Sequence, residues 1–142
     1  MEKRIGAVIR ERLAGGLVAF GLVLLILQAL SIYYRYSGGG WEGLSEYTED
    51  FNALFLGAHA AGGALGGYLV GRRVGGKAIQ AGVVTAVVAY MFEWVYYLLF
   101  EGYFAGNLWA LLCLVGGGAS GAYFAAVQTY RKRLRSRGEQ RD

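Results

Sequence analysis

Proline is absent from this sequence, and cysteine and histidine occur once each. Without proline, the long apolar segments lack the kinks and breaks that mark many transporter helices. The lone Cys113 excludes an intrachain disulfide and a cluster of thiolate metal ligands, and we expect it to be a small packing residue. Charged residues are also scarce, at 17% of the chain. Because charged residues are few, the apolar residues can form long runs almost free of charge.

Apolar residues, at 56% of the chain, are concentrated in four runs whose only charged residue is Glu93. The runs cover residues 13–34, 51–71, 78–100 and 108–127. Each has about 20 residues or more, which as an α-helix crosses a hydrocarbon core of about 30 Å. Continuous rather than alternating apolar residues exclude a membrane β-barrel. The sequence predicts an all-α membrane protein, a single domain over residues 1–142, with four transmembrane helices in an up-down-up-down bundle.

Basic residues fall in segments that share one side of the membrane if every run crosses it. They are Lys3, Arg4, Arg10 and Arg12 at the start, Arg72, Arg73 and Lys77 between the second and third runs, and Arg131, Lys132, Arg133, Arg135, Arg137 and Arg141 at the end. Apart from Arg35, the charged residues of the other side are acidic: Glu42, Glu46, Glu49, Asp50 and Glu101. Because Lys and Arg accumulate in cytoplasmic loops, we predict a plasma-membrane protein with both termini in the cytoplasm.

The basic tail, residues 130–142, directly follows the fourth run. Its first cations favour the C-terminal dipole of the helix, and the others are expected to contact anionic lipid headgroups. The net charge of +4 is therefore a sign of topology. Cations beside membrane ends, with no folded domain to present them, do not indicate nucleic-acid binding. The glycines lie inside apolar helices instead of a strand-turn-helix phosphate loop, so no cofactor is expected.

Glycine, at 24 residues, is abundant and regularly spaced. Small residues let helices approach closely in lipid. The predicted packing positions are Gly62, Gly63, Gly66, Gly67 and Gly71 in the second run, Gly82 in the third, and Gly117 and Gly121 in the fourth. Glycines on more than one face place the second helix between two neighbours. Folding the second and third runs into a hairpin predicts Gly63 near Ala89 and Gly67 near Ala86.

The same hairpin brings His59 opposite Glu93, each about 12 Å from the outer end of its helix. An isolated carboxylate in the membrane costs about 2.5–3.5 kcal/mol, so Glu93 must be protonated or paired with His59 or other donors. Gln28 and Cys113 lie at comparable depths and are candidate polar neighbours. The pair is either a proton-linked or cation site, or a structural hydrogen bond that fixes helix register. The spacing matches no zinc-ligand signature, so no metal site is predicted.

Gly118-Ala119-Ser120-Gly121 is similar to the GxSG motif of rhomboid-type intramembrane serine proteases, for which His59 would be the base. Rhomboids have six or more spans, and their histidine follows the serine in the chain, whereas His59 precedes Ser120. Ser120 would lie about 20 Å from the outer end of its helix and His59 about 12 Å. A nucleophile and its base need hydrogen-bond contact. We therefore expect Ser120 to be a packing residue and the protein not to be an enzyme.

The segment from Gly62 to Arg73, followed by a glycine-rich turn and a third span, resembles the small four-span, glycine-rich membrane proteins of bacteria and archaea. The function of those proteins is unknown, so the resemblance implies a membrane fold and does not bring an activity with it. From the glycine faces we predict a protein that acts through helix packing, as a homo-oligomer or as a subunit of a membrane complex. The alternative is a small proton- or ion-linked transporter or channel that uses Glu93 and His59.

Overall fold

The computed structural model describes residues 2–36, 48–100, 102 and 107–138. These residues form α1 (Glu2–Tyr36), α2 (Thr48–Val74), α3 (Ala78–Phe100) and α4 (Leu108–Gly138), and a 3₁₀ turn over Gly75–Lys77 joins α2 to α3. Each helix is long and apolar enough to cross a membrane. For the described residues, the predicted all-helical class with four helices able to span a membrane is confirmed. Some charges used to predict the orientation lie outside the described residues, namely Glu42, Glu46, Glu101 and Arg141.

Two of the helices extend well beyond the apolar runs that define them. α1 begins at Glu2, so the basic N-terminal residues continue the first helix. α4 has 31 residues and ends at Gly138, so most of the basic tail is helical. Arg, Lys, Leu and Gln are good helix formers, and no proline interrupts either extension. At 1.5 Å per residue α4 is about 46 Å long, against about 30 Å for a hydrocarbon core.

Asn107 determines where α4 begins. Its side-chain oxygen accepts hydrogen bonds from the backbone N–H groups of Trp109 and Ala110, at 2.9 and 3.3 Å. An N-cap of this kind satisfies donors that have no partner within the helix. The Tyr90 hydroxyl donates to the Asn107 carbonyl at 3.4 Å. Tyr90 of α3 thus contacts the start of α4, and Gly102, which lies between the two helices in the chain, has a left-handed backbone with φ of 74°.

One face of α2 packs against α1 through glycine. A Cβ atom added at Gly62 would lie 2.7 Å from the Ala19 carbonyl oxygen, and one at Gly66 would lie 2.8 Å from the Gly15 carbonyl oxygen. Real Cβ atoms essentially never come that close to another atom. The two backbones therefore approach each other more closely than any residue with a side chain would permit.

A second face of α2 packs against α4. Cβ atoms added along this face, at Gly63, Gly67 and Gly71, would collide with the backbone of Leu114, Gly118 and Ala122 respectively. On the opposing helix, Cβ atoms at Gly117 and Gly121 would collide with the backbone of Ala60 and Ala64. We refer to this contact, formed by these ten residues, as the α2–α4 seam. α2 therefore has two neighbours on its two glycine faces, and its partner on the second face is α4.

The nearest neighbours of Gly63 and Gly67 are on α4, and not the α3 alanines predicted to lie near them. A Cβ atom at Gly67 would meet Gly118, and the backbone of Ala89 lies against Gly16 of α1. The physical reason is that α4 presents Gly117, Gly118 and Gly121 toward α2, which lets these two backbones approach closely. Closer approach gives stronger van der Waals contact, which is the main attraction between helices in lipid.

α4 also packs against α3. A Cβ atom added at Gly118 would lie 2.6 Å from the Gly82 carbonyl oxygen, and one at Gly82 would collide with the Gly118 carbonyl. Near the other end of α3, aromatic rings connect it to α1. The Phe20 ring centroid lies 5.8 Å from that of Tyr96 and 6.4 Å from that of Phe92. α2 and α3 are therefore in contact with both α1 and α4.

Candidate functional site

His59 and Glu93 are in direct contact in the interior of the bundle. The His59 Nε2 atom lies 3.1 Å from Oε1 and 3.3 Å from Oε2 of Glu93. His59 is 0% exposed and Glu93 is 5% exposed. With Thr85, they are the buried polar or charged side chains in the described part of the chain. The connection spans two helices, since His59 belongs to α2 and Glu93 to α3.

The hydrogen bonds of His59 determine how many protons the pair holds. Its Nδ1 atom lies 2.7 Å from the carbonyl oxygen of Phe55, which can only accept, so Nδ1–H is the donor. One further proton then lies between Nε2 and the Glu93 carboxyl group. If it is on nitrogen, the pair is an imidazolium and a carboxylate; if it is on oxygen, both groups are neutral. Both arrangements have zero net charge, which makes burial in the membrane far less costly than for an isolated ion.

Apolar and aromatic groups surround the imidazole. The Phe55 ring centroid lies 4.3 Å from the His59 ring centroid, with a 49° angle between the planes. Phe55 therefore makes two contacts with the imidazole, one through its carbonyl group and one through its ring. Such support fixes the ring orientation and the tautomer, in the way that neighbouring acceptors orient functional histidines in proteins.

The hydrogen bonds of this pair in the described residues do not include the other predicted polar residues. Gln28 is exposed on α1, and no hydrogen bond links it to His59 or Glu93 in the described part of the chain. Cys113 is a half-buried free cysteine on α4. Ser120 is exposed, whereas His59 is fully buried and contacts Phe55 and Glu93. The GxSG motif and the histidine therefore do not form a nucleophile and base pair.

No grouping of three or more His, Cys, Asp or Glu side chains could hold a metal ion among the described residues. The 3.1 Å contact between the imidazole and the carboxyl group allows a proton to pass from one to the other.

The predicted packing glycines all lie between helices. A Cβ atom added at any of them would come within 3.0 Å of an atom of another helix: Gly62, Gly63, Gly66, Gly67, Gly71, Gly82, Gly117 and Gly121. Other small residues face outward. An added Cβ atom at Gly57 or Gly116 would meet nothing within 4 Å, and Ala61 and Ser120 are exposed. The sequence pattern alone did not separate these two groups, because both repeat at the same spacing.

A polar contact that the sequence did not reveal lies near the basic end of α2 and α4. The Tyr68 hydroxyl donates to the Gln128 side-chain oxygen at 2.9 Å. The Arg72 guanidinium carbon lies 5.6 Å from the centroid of the Tyr68 ring, within the range of a cation–π interaction. Arg72 follows Tyr68 by one helical turn, which was visible in the sequence. The participation of Gln128 was not, because it depends on how α2 and α4 pack.

No protein-family model, curated protein or solved structure matches this chain. Its function must therefore be inferred from its own residues and their geometry.

Proposed function

We propose that this chain is a non-enzymatic integral membrane protein that acts through helix–helix association, with a second copy of itself as the partner. Support comes from an outer strip of small residues that the bundle does not use, formed by Gly57 and Ala61 of α2 and Gly116 and Ser120 of α4. All four are exposed. Each pair has the four-residue spacing that lets transmembrane helices pack closely.

The position of the outer strip favours a self-complementary contact. Gly116 and Ser120 immediately precede Gly117 and Gly121, which pack against Ala60 and Ala64 in the α2–α4 seam. The strip therefore runs along the edge of that seam, with one small pair on each helix. In a two-fold dimer, α2 of one copy would face α4 of the other, and the contact would occur twice. A subunit of another protein is the alternative occupant.

We propose that the protein lies in the plasma membrane with both termini in the cytoplasm. Its helices then run up-down-up-down across the membrane. One pocket is lined by residues of α1 and α2, including Glu11 and Arg73, and a second by residues of α2 and α4, including Arg72 and Lys132. Basic residues of α2 and α4 thus gather at one end of the bundle, beside the start of α1. This asymmetry supports the orientation, because cytoplasmic ends are rich in Lys and Arg.

The subunit count in detergent tests the association. We expect Ala61→Leu combined with Gly116→Leu to convert an oligomer to a monomer, because two bulky side chains would separate the facing helices and weaken association about tenfold or more. Light scattering of the purified protein, corrected for bound detergent, measures the mass. Val87→Leu, at an exposed position of α3, is the control and should leave the mass unchanged. If the wild-type chain is monomeric, the proposed self-association is wrong. If a different protein co-purifies with it, that protein is the alternative partner.

A second candidate function is proton-linked transport or conduction, which the buried contact between His59 and Glu93 favours. An intramembrane acid is a functional candidate in itself, and here its partner can exchange a proton with it.

Vesicle flux separates the two candidates. Glu93→Gln keeps the size of the side chain and removes its ionisable group. A proton-linked carrier should then lose pH-driven flux down to the level of empty vesicles, whereas an assembly protein should show no flux before or after the substitution. The control is Glu11→Gln, which makes the same substitution near the start of α1, away from the His59–Glu93 pair, and should leave any flux unchanged.

A further inference from the structure

A pocket between the basic ends of α2 and α4 has the features of an anion site. Its volume is about 460 Å³, within the range of about 300–1,000 Å³ of small-molecule pockets. We call it the basic pocket, and its lining residues are Arg72, Gln128, Thr129, Lys132, Arg133 and Ser136.

Charge in the basic pocket has one sign. Arg72, Lys132 and Arg133 contribute cations, and none of the described lining residues is acidic. All three cations are exposed enough to reach a ligand from solvent or from the membrane surface. Arginine presents a planar fork of donors that matches phosphate oxygens, and lysine adds a compact positive charge. Together they favour a phosphate group over a neutral ligand.

The hydrogen bonds around the basic pocket determine which neutral groups can donate to a ligand. The Thr129 hydroxyl donates to the Ala125 carbonyl at 2.9 Å, and the Ser136 hydroxyl donates to the Arg133 carbonyl at 3.1 Å. Those two protons are therefore engaged. The side-chain oxygen of Gln128 accepts from Tyr68, which leaves the amide N–H groups of Gln128 as donors.

Tyr68 is the positioning residue of the basic pocket. Its hydroxyl holds Gln128 and its ring lies beside the Arg72 guanidinium, so one side chain orients a donor from each of the two helices. The depth of the basic pocket in the membrane also suits a phospholipid headgroup. Arg72 is in the last turn of α2, and Gln128 directly follows the apolar run of α4, so both lie where a membrane interior gives way to water.

We propose that the basic pocket binds a phosphate group through Arg72, Lys132, Arg133 and the Gln128 amide. This chemistry can be supplied by the headgroup of an anionic phospholipid or by free phosphate in the cytoplasm. The site goes beyond general attraction of a basic tail to lipid, because it uses particular residues of two helices and a tyrosine that orients them.

Native mass spectrometry of the full chain tests the site against both sources. Phosphatidylglycerol, phosphatidylcholine and inorganic phosphate are titrated separately. Arg72→Gln combined with Lys132→Gln should weaken phosphatidylglycerol or phosphate binding about tenfold or more. Tyr68→Phe, which keeps the ring and removes the hydroxyl, should weaken it by a smaller factor of about two to three, since one positioning hydrogen bond is lost.

The matched control is Arg73→Gln combined with Arg131→Gln. It removes the same net charge at the neighbouring position of each helix, outside the basic pocket, and should change binding less than twofold if the site is specific. Preference for phosphatidylglycerol over phosphatidylcholine identifies a lipid ligand, and saturable binding of inorganic phosphate identifies a soluble one. Equal loss in the pocket and control variants, or binding of neither ligand, would overturn the proposal.

Discussion

Gly67→Ala is expected to destabilise the bundle by about 3 kcal/mol, at the upper end of the usual cost of overpacking. The added methyl group would meet the backbone of Gly118, including its carbonyl oxygen. A flexible side chain could move aside, but a helix backbone cannot do so locally. α2 and α4 must therefore separate along their length, and neighbouring contacts of the α2–α4 seam are lost with the one that is blocked. Unfolding of the detergent-solubilised protein by SDS, followed by tryptophan fluorescence, measures the change.

Gly21→Ala is the matched control for Gly67→Ala. It makes the same substitution in a transmembrane helix, but an added Cβ atom at Gly21 would meet nothing within 4 Å. Alanine is the better helix former by about 0.5–1 kcal/mol, so this variant should be as stable as the original protein or slightly more so. If both variants lose the same stability, the cost comes from alanine in these helices generally and the tight seam is not its source.

Glu93→Leu should cost about 3 kcal/mol, the lower end for breaking a buried ion pair, because it leaves His59 with an unpaired nitrogen in an apolar interior. Glu93→Gln retains a hydrogen-bonding group at the same place, and we expect it to cost about 1 kcal/mol or less. The same SDS titration measures both variants. The difference in the free energy of unfolding between the two variants separates the effect of the lost hydrogen bond from the effect of the lost ionisable group.

The double variant His59→Leu with Glu93→Leu completes the comparison. Replacing both members of a buried pair by apolar residues is often neutral for stability. We therefore expect the double variant to recover most of the stability lost in Glu93→Leu. A double variant that remains folded, retains the wild-type subunit count and shows the same vesicle flux as the wild type would assign the pair a role in stability alone. Additive losses would instead mean that the two side chains act independently, contrary to their 3.1 Å contact.

The sequence predicted the helices well because a membrane span is a local property. Twenty apolar residues cross a bilayer whatever their neighbours are, and the described part of the chain has four helices able to do so. The similar depth of His59 and Glu93 in the membrane could also be predicted from the sequence, since it depends only on counting residues along two helices joined by a short turn. Their actual contact required the helices to face each other, which the count alone does not establish.

The partner of each glycine face could not be predicted in the same way. Gly63 and Gly67 indicate only that another helix approaches closely, and both α3 and α4 carry small residues that would permit it. The choice of α4 follows from the three-dimensional fit of two backbones. The basic pocket was missed for the same reason: Tyr68 and Gln128 are 60 residues apart, and neither is unusual in its own segment. Their hydrogen bond exists only because α2 and α4 are neighbours.

The glycine contacts also limit how the bundle can move. At Gly62, Gly66, Gly71 and Gly118 the hydrogen that replaces Cβ is directed toward a carbonyl group of an adjacent helix, the geometry of weak Cα–H···O bonds. Sliding one helix along another would move those hydrogens away from the carbonyl groups and weaken the contacts. Because these contacts join α2 to α1, α2 to α4 and α4 to α3, any large conformational change should move the four helices together instead of sliding one past another.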